Sequence, residues 1–465
     1  MTQTRASGPA TREDHPTSLT ETIDRRQFLR VSTRTALTAA LLGSGASALL
    51  AGCGPTNPAT IESSDQLFQA GRFAEADKGY AQVLAHDPKN VHALTQRGHV
   101  ALLSNRLAEA QRLFEQSLEL APGDPQATRL LALTFYRADD FGQAAKLGYQ
   151  TPLLESFQGR TPYEIHGPDG GRVRFLQTNP LLLVDVAVHG LEPVPFVVDT
   201  GSTTVLLHPD LAQRAGVTLF SLPAGARAIG TGGQQIDAGQ MARVDRVTLG
   251  DFEIRNIPGA TGTYIARGVR APDGRPVQGA IGTTFLGHFL STLDYPGATL
   301  VLRRKTPALL RQFEGEAKAA AAAQMPFWIY TDHFIVTLGK VNGHGPMVFT
   351  VDTGANADYA SMAFLPTDTT VEQAGINVDK SKATRFVGSG GESIAYPIQL
   401  DEVALGSVVR HNLPGAAGVW PSRRVRGAVE PVIGGAVSSA FLSLFALTID
   451  TVGMRLFLAQ GGKTS

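Results

Sequence analysis

Hydrophobic and polar positions change period along the chain. From about Ser63 apolar residues recur three and four apart, the pattern of helices that bury one stripe. "AGRFAEA" at Ala70, "SNRLAEA" at Ser104 and "ADDFGQA" at Ala138 follow one another at 34-residue intervals, and Pro88 and Pro122 keep that spacing. Small residues at fixed points, Ala74, Ala76, Ala108, Ala110 and Ala144, are expected to let helices approach closely. From about Tyr163 the pattern alternates instead. "RVRFLQ", "LLLVDVAV", "ARVDRVTLGDFEI" and "HFIVTLGKV" read as strands, separated by Gly, Pro, Asn and Asp. Thr306–Gln324, Ala-rich and helix-favouring, interrupts this region and reads as a connector.

The strand-rich region is duplicated. "VHGLEPVPFVVDTG" and "VNGHGPMVFTVDTG" match at an offset of 153 residues, which carries Val188 to Val341, Gly190 to Gly343, Pro193 to Pro346, Phe196 to Phe349 and Asp199 to Asp352. In each copy an apolar run delivers one carboxylate, followed by Thr200-Gly201 or Thr353-Gly354. Downstream lie "RAIGTGGQQ", with Gly230, Gly232 and Gly233, and "RFVGSGGES", with Gly388, Gly390 and Gly391. Further on stand Ile281-Gly282 and Ile433-Gly434, each followed by a helix-like stretch and a strand ending in Asp294 or Asp450. Those last two acids and His208 read as structural or surface groups.

The 34-residue period resembles tetratricopeptide repeats over residues 63–150. The duplicated part resembles the retropepsin-like aspartic peptidases, with two lobes fused in one chain. The expected fold is therefore multidomain: α-helical tetratricopeptide-type hairpins, then an all-β two-lobed aspartic-peptidase fold. Lobes are expected at 163–305 and 325–465, joined by the helical connector at 306–324. The resemblance implies that Asp199 and Asp352 form a catalytic dyad that shares one proton. Thr200 and Thr353 would bond across the lobes, and Gly201 and Gly354 would let backbone approach the carboxylates. Ser202 would donate to its own Asp, a donor that Ala355 cannot supply. The glycine-rich segments 227–237 and 385–395 would be two flaps over the cleft. The implied activity is aspartic-type endopeptidase cleavage of a protein or peptide substrate through an activated water, needing no metal and no cofactor. A second reading keeps the fold but makes the chain a non-catalytic, peptide-binding adaptor of the cell envelope, with a protein partner on the repeats.

Composition narrows the setting. The 465 residues carry 41 basic and 41 acidic side chains, so no electrostatic case exists for nucleic acid. With 50 Gly and 27 Pro, turn-rich β structure is favoured over a helical bundle. The single cysteine, Cys53, excludes an internal disulfide and thiolate metal cages. It ends "LAGC", which resembles a lipobox, and Arg25-Arg26 ahead of Phe28-Leu29 resembles a twin-arginine export signal. Residues 1–52 are thus expected to be a removed leader, Cys53 to be lipidated, and 53–62 to be a linker. The expectation is a monomer on the periplasmic side of a bacterial envelope, held to the membrane by its anchor.

Overall fold

The computed structural model describes residues 59–222, 228–229, 235–236, 239–263, 268–355, 362–388, 391–420 and 429–460. The export signal and Cys53 lie outside them.

Seven helices come first: α1 (Ile61–Gln69), α2 (Phe73–His86), α3 (Val91–Leu103), α4 (Leu107–Leu120), α5 (Pro125–Arg137), α6 (Phe141–Lys146) and α7 (Thr151–Glu155). Their starts are written in the sequence. Thr60 caps Ser63 N, Asn90 caps Ala93 N, Asp124 caps Ala127 N, and Pro125 opens α5 at its first turn. Phe73, Leu107 and Phe141 begin α2, α4 and α6 at the 34-residue spacing. Ala76, Ala110 and Ala144 are fully buried, as the close-approach argument requires. Ala74 and Ala108 instead face solvent, because they fall on the outer side of the same helices. The helical region extends past the expected limits at both ends, from Ile61 to Glu155.

Two eight-stranded sheets follow, each closed on itself. In the first lobe, Met241–Leu249 pairs with Phe252–Thr261 to complete the circuit. In the second, Phe334–Val341 pairs with Gly391–Leu405. The hairpin leading to each carboxylate turns at matching places. His189-Gly190 and Asn342-Gly343 all have positive φ, from 48° to 81°, the backbone of a type I′ turn that suits strand twist.

A six-stranded sheet joins the lobes. Its centre is the antiparallel pair Leu290–Asp294 and Phe445–Asp450, one strand from each lobe. Thr292 and Thr448 share a 2.7 Å hydroxyl hydrogen bond at that seam. Asp294 and Asp450 are buried and bond turn amides, of Gly297 and of Val452 and Gly453. His208 caps the helix Pro209–Arg214. The connector forms the helix Pro307–Ala319, whose Phe313 packs edge-on to Phe457 at 5.1 Å.

The helices pack onto both lobes, and one apolar core runs from Phe114 and Leu130 through Tyr136 into Val184 and Phe196. Phe73 meets Trp328 at 4.8 Å, and Val432 N donates to the carbonyl of Gln69.

Candidate active site

Each Asp-Thr-Gly loop leaves a buried strand and turns back at once. Asp199 follows Val194–Val198, which lies between Leu183–Val188, antiparallel, and Gly279–Ile281, parallel. Asp352 ends His344–Asp352, which lies between Phe334–Val341 and Ile433–Ser438 in the same senses. The registers correct one expectation. Gly279-Ala280-Ile281-Gly282 of the first lobe corresponds to Gly435-Ala436-Val437-Ser438 of the second, so Ser438, not Gly434, stands where Gly282 does. Gly282 has no room for a side chain against the backbone of Ser202 and Thr203.

The two loops interlock. Thr200 Oγ1 donates to the carbonyl of Val351 (2.7 Å) and accepts from Thr353 N (3.0 Å). Thr353 Oγ1 donates to the carbonyl of Val198 (2.8 Å) and accepts from Thr200 N (3.0 Å). Both threonines are fully buried, so these four bonds hold the loops without competition from water. Each glycine lies on the opposite carboxyl. A methyl at Gly201 would lie 2.5 Å from Asp352 Oδ2, and one at Gly354 would lie 2.6 Å from Asp199 Oδ2. Any side chain at either glycine would collide with the acid across the pseudo-twofold axis.

The carboxyls have unequal surroundings. Asp199 Oδ1 accepts from Gly201 N (2.8 Å), and its Oδ2 accepts from Ser202 Oγ (2.6 Å). Asp352 Oδ1 accepts from Gly354 N (2.9 Å), and the next residue along is Ala355, with no hydroxyl to offer. Asp352 is 6 % exposed, whereas Asp199 is only partly buried. Burial, and then the charge of Asp199, push the Asp352 carboxyl well above the ordinary carboxylate range.

Two residues near the pair escaped the sequence reading. His333, from the turn before Phe334–Val341, places Nε2 3.1 Å from the carbonyl of Gly201 and Nδ1 2.7 Å from Asp332 Oδ1. Each nitrogen faces an acceptor, so both must carry hydrogen for both contacts to be made. Burial opposes the charge on Asp332, yet the adjacent His333 holds its carboxyl below the usual range. The 153-residue offset places Pro180 opposite His333, so duplication gave no signal. Tyr295 is buried at the end of Leu290–Asp294, and its hydroxyl has no partner among the described residues. Burial, then Asp352 and Asp199, push that hydroxyl up.

Both flap segments contain hairpins. Ala228-Ile229 pairs antiparallel with Gln235-Ile236, while Gly230, Gly232 and Gly233 lie outside the described residues. Thr384–Gly388 pairs with the strand from Gly391, closing at Gly388 opposite Gly391, while Gly390 lies outside the described residues. Phe386 of this second hairpin shares an apolar cluster with Leu365, Ala416 and Ala355, so its base adjoins the Asp352 loop. Among the described residues no group of three or more His, Cys, Asp or Glu could hold a metal ion.

The aspartyl protease family model matches residues 184–285 and again 337–433, once for each lobe. Both lobes thus resemble the aspartyl proteases. A tetratricopeptide repeat model matches residues 67–134. Among solved structures, the chain is similar to an aspartic proteinase from Irpex lacteus at 14% identity, over 64% of this chain and 98% of that one, with a TM-score of 0.36. It is similar to the basic 7S globulin from soybean at 12% identity, over 65% and 96%, with a TM-score of 0.32. It is also similar to a retropepsin-like aspartic protease from Rickettsia conorii at 18% identity, over 30% and 90%, with a TM-score of 0.21. A search of curated proteins found no match. The aspartyl protease match supports a peptide-hydrolase role for the paired lobes.

Proposed function

We propose that the chain is an exported, lipid-anchored aspartic endopeptidase. The observation that carries the reading is the reciprocal packing of Gly201 on Asp352 and Gly354 on Asp199, locked by the two buried threonines. Such a pair can hold one proton between two carboxyls. Asp199, less buried and accepting from the Ser202 hydroxyl where Asp352 has backbone amides alone, takes the charged state, and Asp352 takes the proton. A water between them loses a proton to Asp199 as its oxygen attacks the scissile carbonyl carbon. Asp352 gives its proton to the carbonyl oxygen, so a neutral tetrahedral diol forms rather than a free oxyanion. Collapse breaks the C–N bond as the leaving amine takes the proton that Asp199 holds and a diol hydroxyl returns its proton to Asp352, which restores the starting pair. Ionisation is shared within the pair, so the assignment is a bias between microstates.

The two hairpins are proposed to close over an extended substrate, with backbone rather than a tyrosine as their contact. Export and anchoring rest on Arg25-Arg26 and on the lipobox ending at Cys53. Among the described residues no helix is long and apolar enough to cross a membrane. The test is digestion of an unstructured protein at mildly acid pH. Cleavage should disappear in Asp199→Asn and in Asp352→Asn while circular dichroism stays unchanged. Binding of the substrate without any cleavage by the native chain would favour the peptide-binding adaptor.

A further inference from the structure

Away from the paired carboxyls, the repeats and both lobes meet around a cavity of about 140 Å³. The repeats contribute Asn105, Arg137 and Asp139, the first lobe His288 and Lys305, and the second Asp332. Its two carboxylates, Asp139 and Asp332, equal its two fixed cations, Arg137 and Lys305, in number, but the acids do not pair directly with those cations. Asp139 is engaged by His288 Nε2 at 3.0 Å, and His288 Nδ1 meets the carbonyl of Thr284. Asp332 is engaged by His333 at 2.7 Å. Each acid in the wall therefore already has an imidazole. Arg137 and Lys305 hydrogen-bond neutral partners only, while Asp332 acts on the first and Asp139 and Asp450 on the second from farther away. Arg137 donates to the carbonyls of Leu102 and Ile329 and to Asn105 Oδ1, and Lys305 donates to the carbonyl of Gly287 and to Thr451 Oγ1. Among the described residues neither forms an ion pair. Burial pushes Arg137 down to about 10 and lowers Lys305 as well, although the latter stands exposed at the mouth. Three hydrogen bonds tie the two cations along one wall. Arg137 Nη2 bonds Asn105 at 2.8 Å, Asn105 Nδ2 bonds the carbonyl of Thr451 at 3.1 Å, and Lys305 Nζ completes the path to Thr451 Oγ1 at 3.4 Å.

The geometry points to a binding site for a small oxyanion, a carboxylate or a phosphate, held between Arg137 and Lys305. The cavity matches the roughly 150 Å³ that accepts a benzene-sized molecule, so the ligand is a compact anion and not a peptide. Bound there, it gives both cations a directly contacting ionic partner and ties the repeats to both lobes. The inference does not depend on peptide cleavage.

The test is calorimetric titration and thermal unfolding of the full chain with sodium phosphate and, separately, sodium succinate, at ionic strength fixed with sodium chloride. At least one anion should bind saturably and raise the unfolding midpoint, and which one does so identifies the phosphoryl or the carboxylate class. Arg137→Gln and Lys305→Gln should each weaken binding by about tenfold or more. Arg137 also braces the junction, so Lys305→Gln decides alone if the first variant does not fold. Absence of saturable binding by both anions, or unchanged affinity in Lys305→Gln, overturns the site.

Discussion

At the residue scale, the unequal carboxyls make the sharpest expectations. Ser202→Ala removes one charge-assisted donor from Asp199. Such a bond is worth about 1.5–3 kcal/mol, so the acid limb of the pH–rate profile should move up by about one to two pH units. Ala355→Ser should move it less or lower the other limb. Asp352 gives a stability test that needs no turnover. Its proton is held more tightly in the folded chain than in the unfolded one. Its stabilising contribution is therefore full below the ordinary carboxylate range and lost as pH rises through the raised folded value. Asp352→Asn should unfold at a higher temperature than the native chain near pH 7, by about 1 °C for each kcal/mol relieved, with the difference fading below about pH 4. The Ser202 and Ala355 contrast was plain in the sequence because both copies carry the aligned position. His333 was not, because its counterpart is Pro180 and nothing local marks a histidine as reaching the other lobe.

At the element scale, the interlocked loops and the His333 turn bear on the same place. Thr353→Ala leaves the Val198 carbonyl and the Thr200 amide buried without partners. Each orphaned group costs about 1–3 kcal/mol, so denaturant titration should show a loss of several kcal/mol, with Thr353→Ser recovering most of it. His333→Ala removes the donor to the Gly201 carbonyl while leaving both carboxyls intact. It should lower kcat with little change in KM, as expected for a residue that positions the loop rather than binds substrate. The lead-in strands were legible, since an apolar run ending in Asp recurs in both copies, whereas their tight turns came only from the backbone angles at His189-Gly190 and Asn342-Gly343. The partner strand of the second lobe was placed wrongly. "VIGGAVS" offers two glycines, and only the pairing of Val351 with Val437 reveals which stretch runs beside Asp352.

At the scale of the whole molecule, the repeats and lobes were legible as separate texts but not as one body. Contacts such as Phe73 on Trp328, or Arg129 beside Glu430, join residues whose periodicities say nothing about each other. Because one apolar core runs through the repeats and the first lobe, a chain lacking residues 59–155 should lose soluble yield, and the intact chain should unfold in a single calorimetric transition. The sheet shared by the lobes carries one further consequence, for the order of events during synthesis. Its central strand Phe445–Asp450 is translated 93 residues after Asp352 and 246 residues after Asp199, yet it pairs with Leu290–Asp294 to join the lobes that carry those acids. A nascent chain can therefore carry both Asp-Thr-Gly loops out of the ribosome without the floor that keeps them together. Joining of the lobes, and with it any hydrolytic competence, follows synthesis of Phe445–Asp450, a timer that protects the chain's own unfolded segments and its neighbours while they are being made.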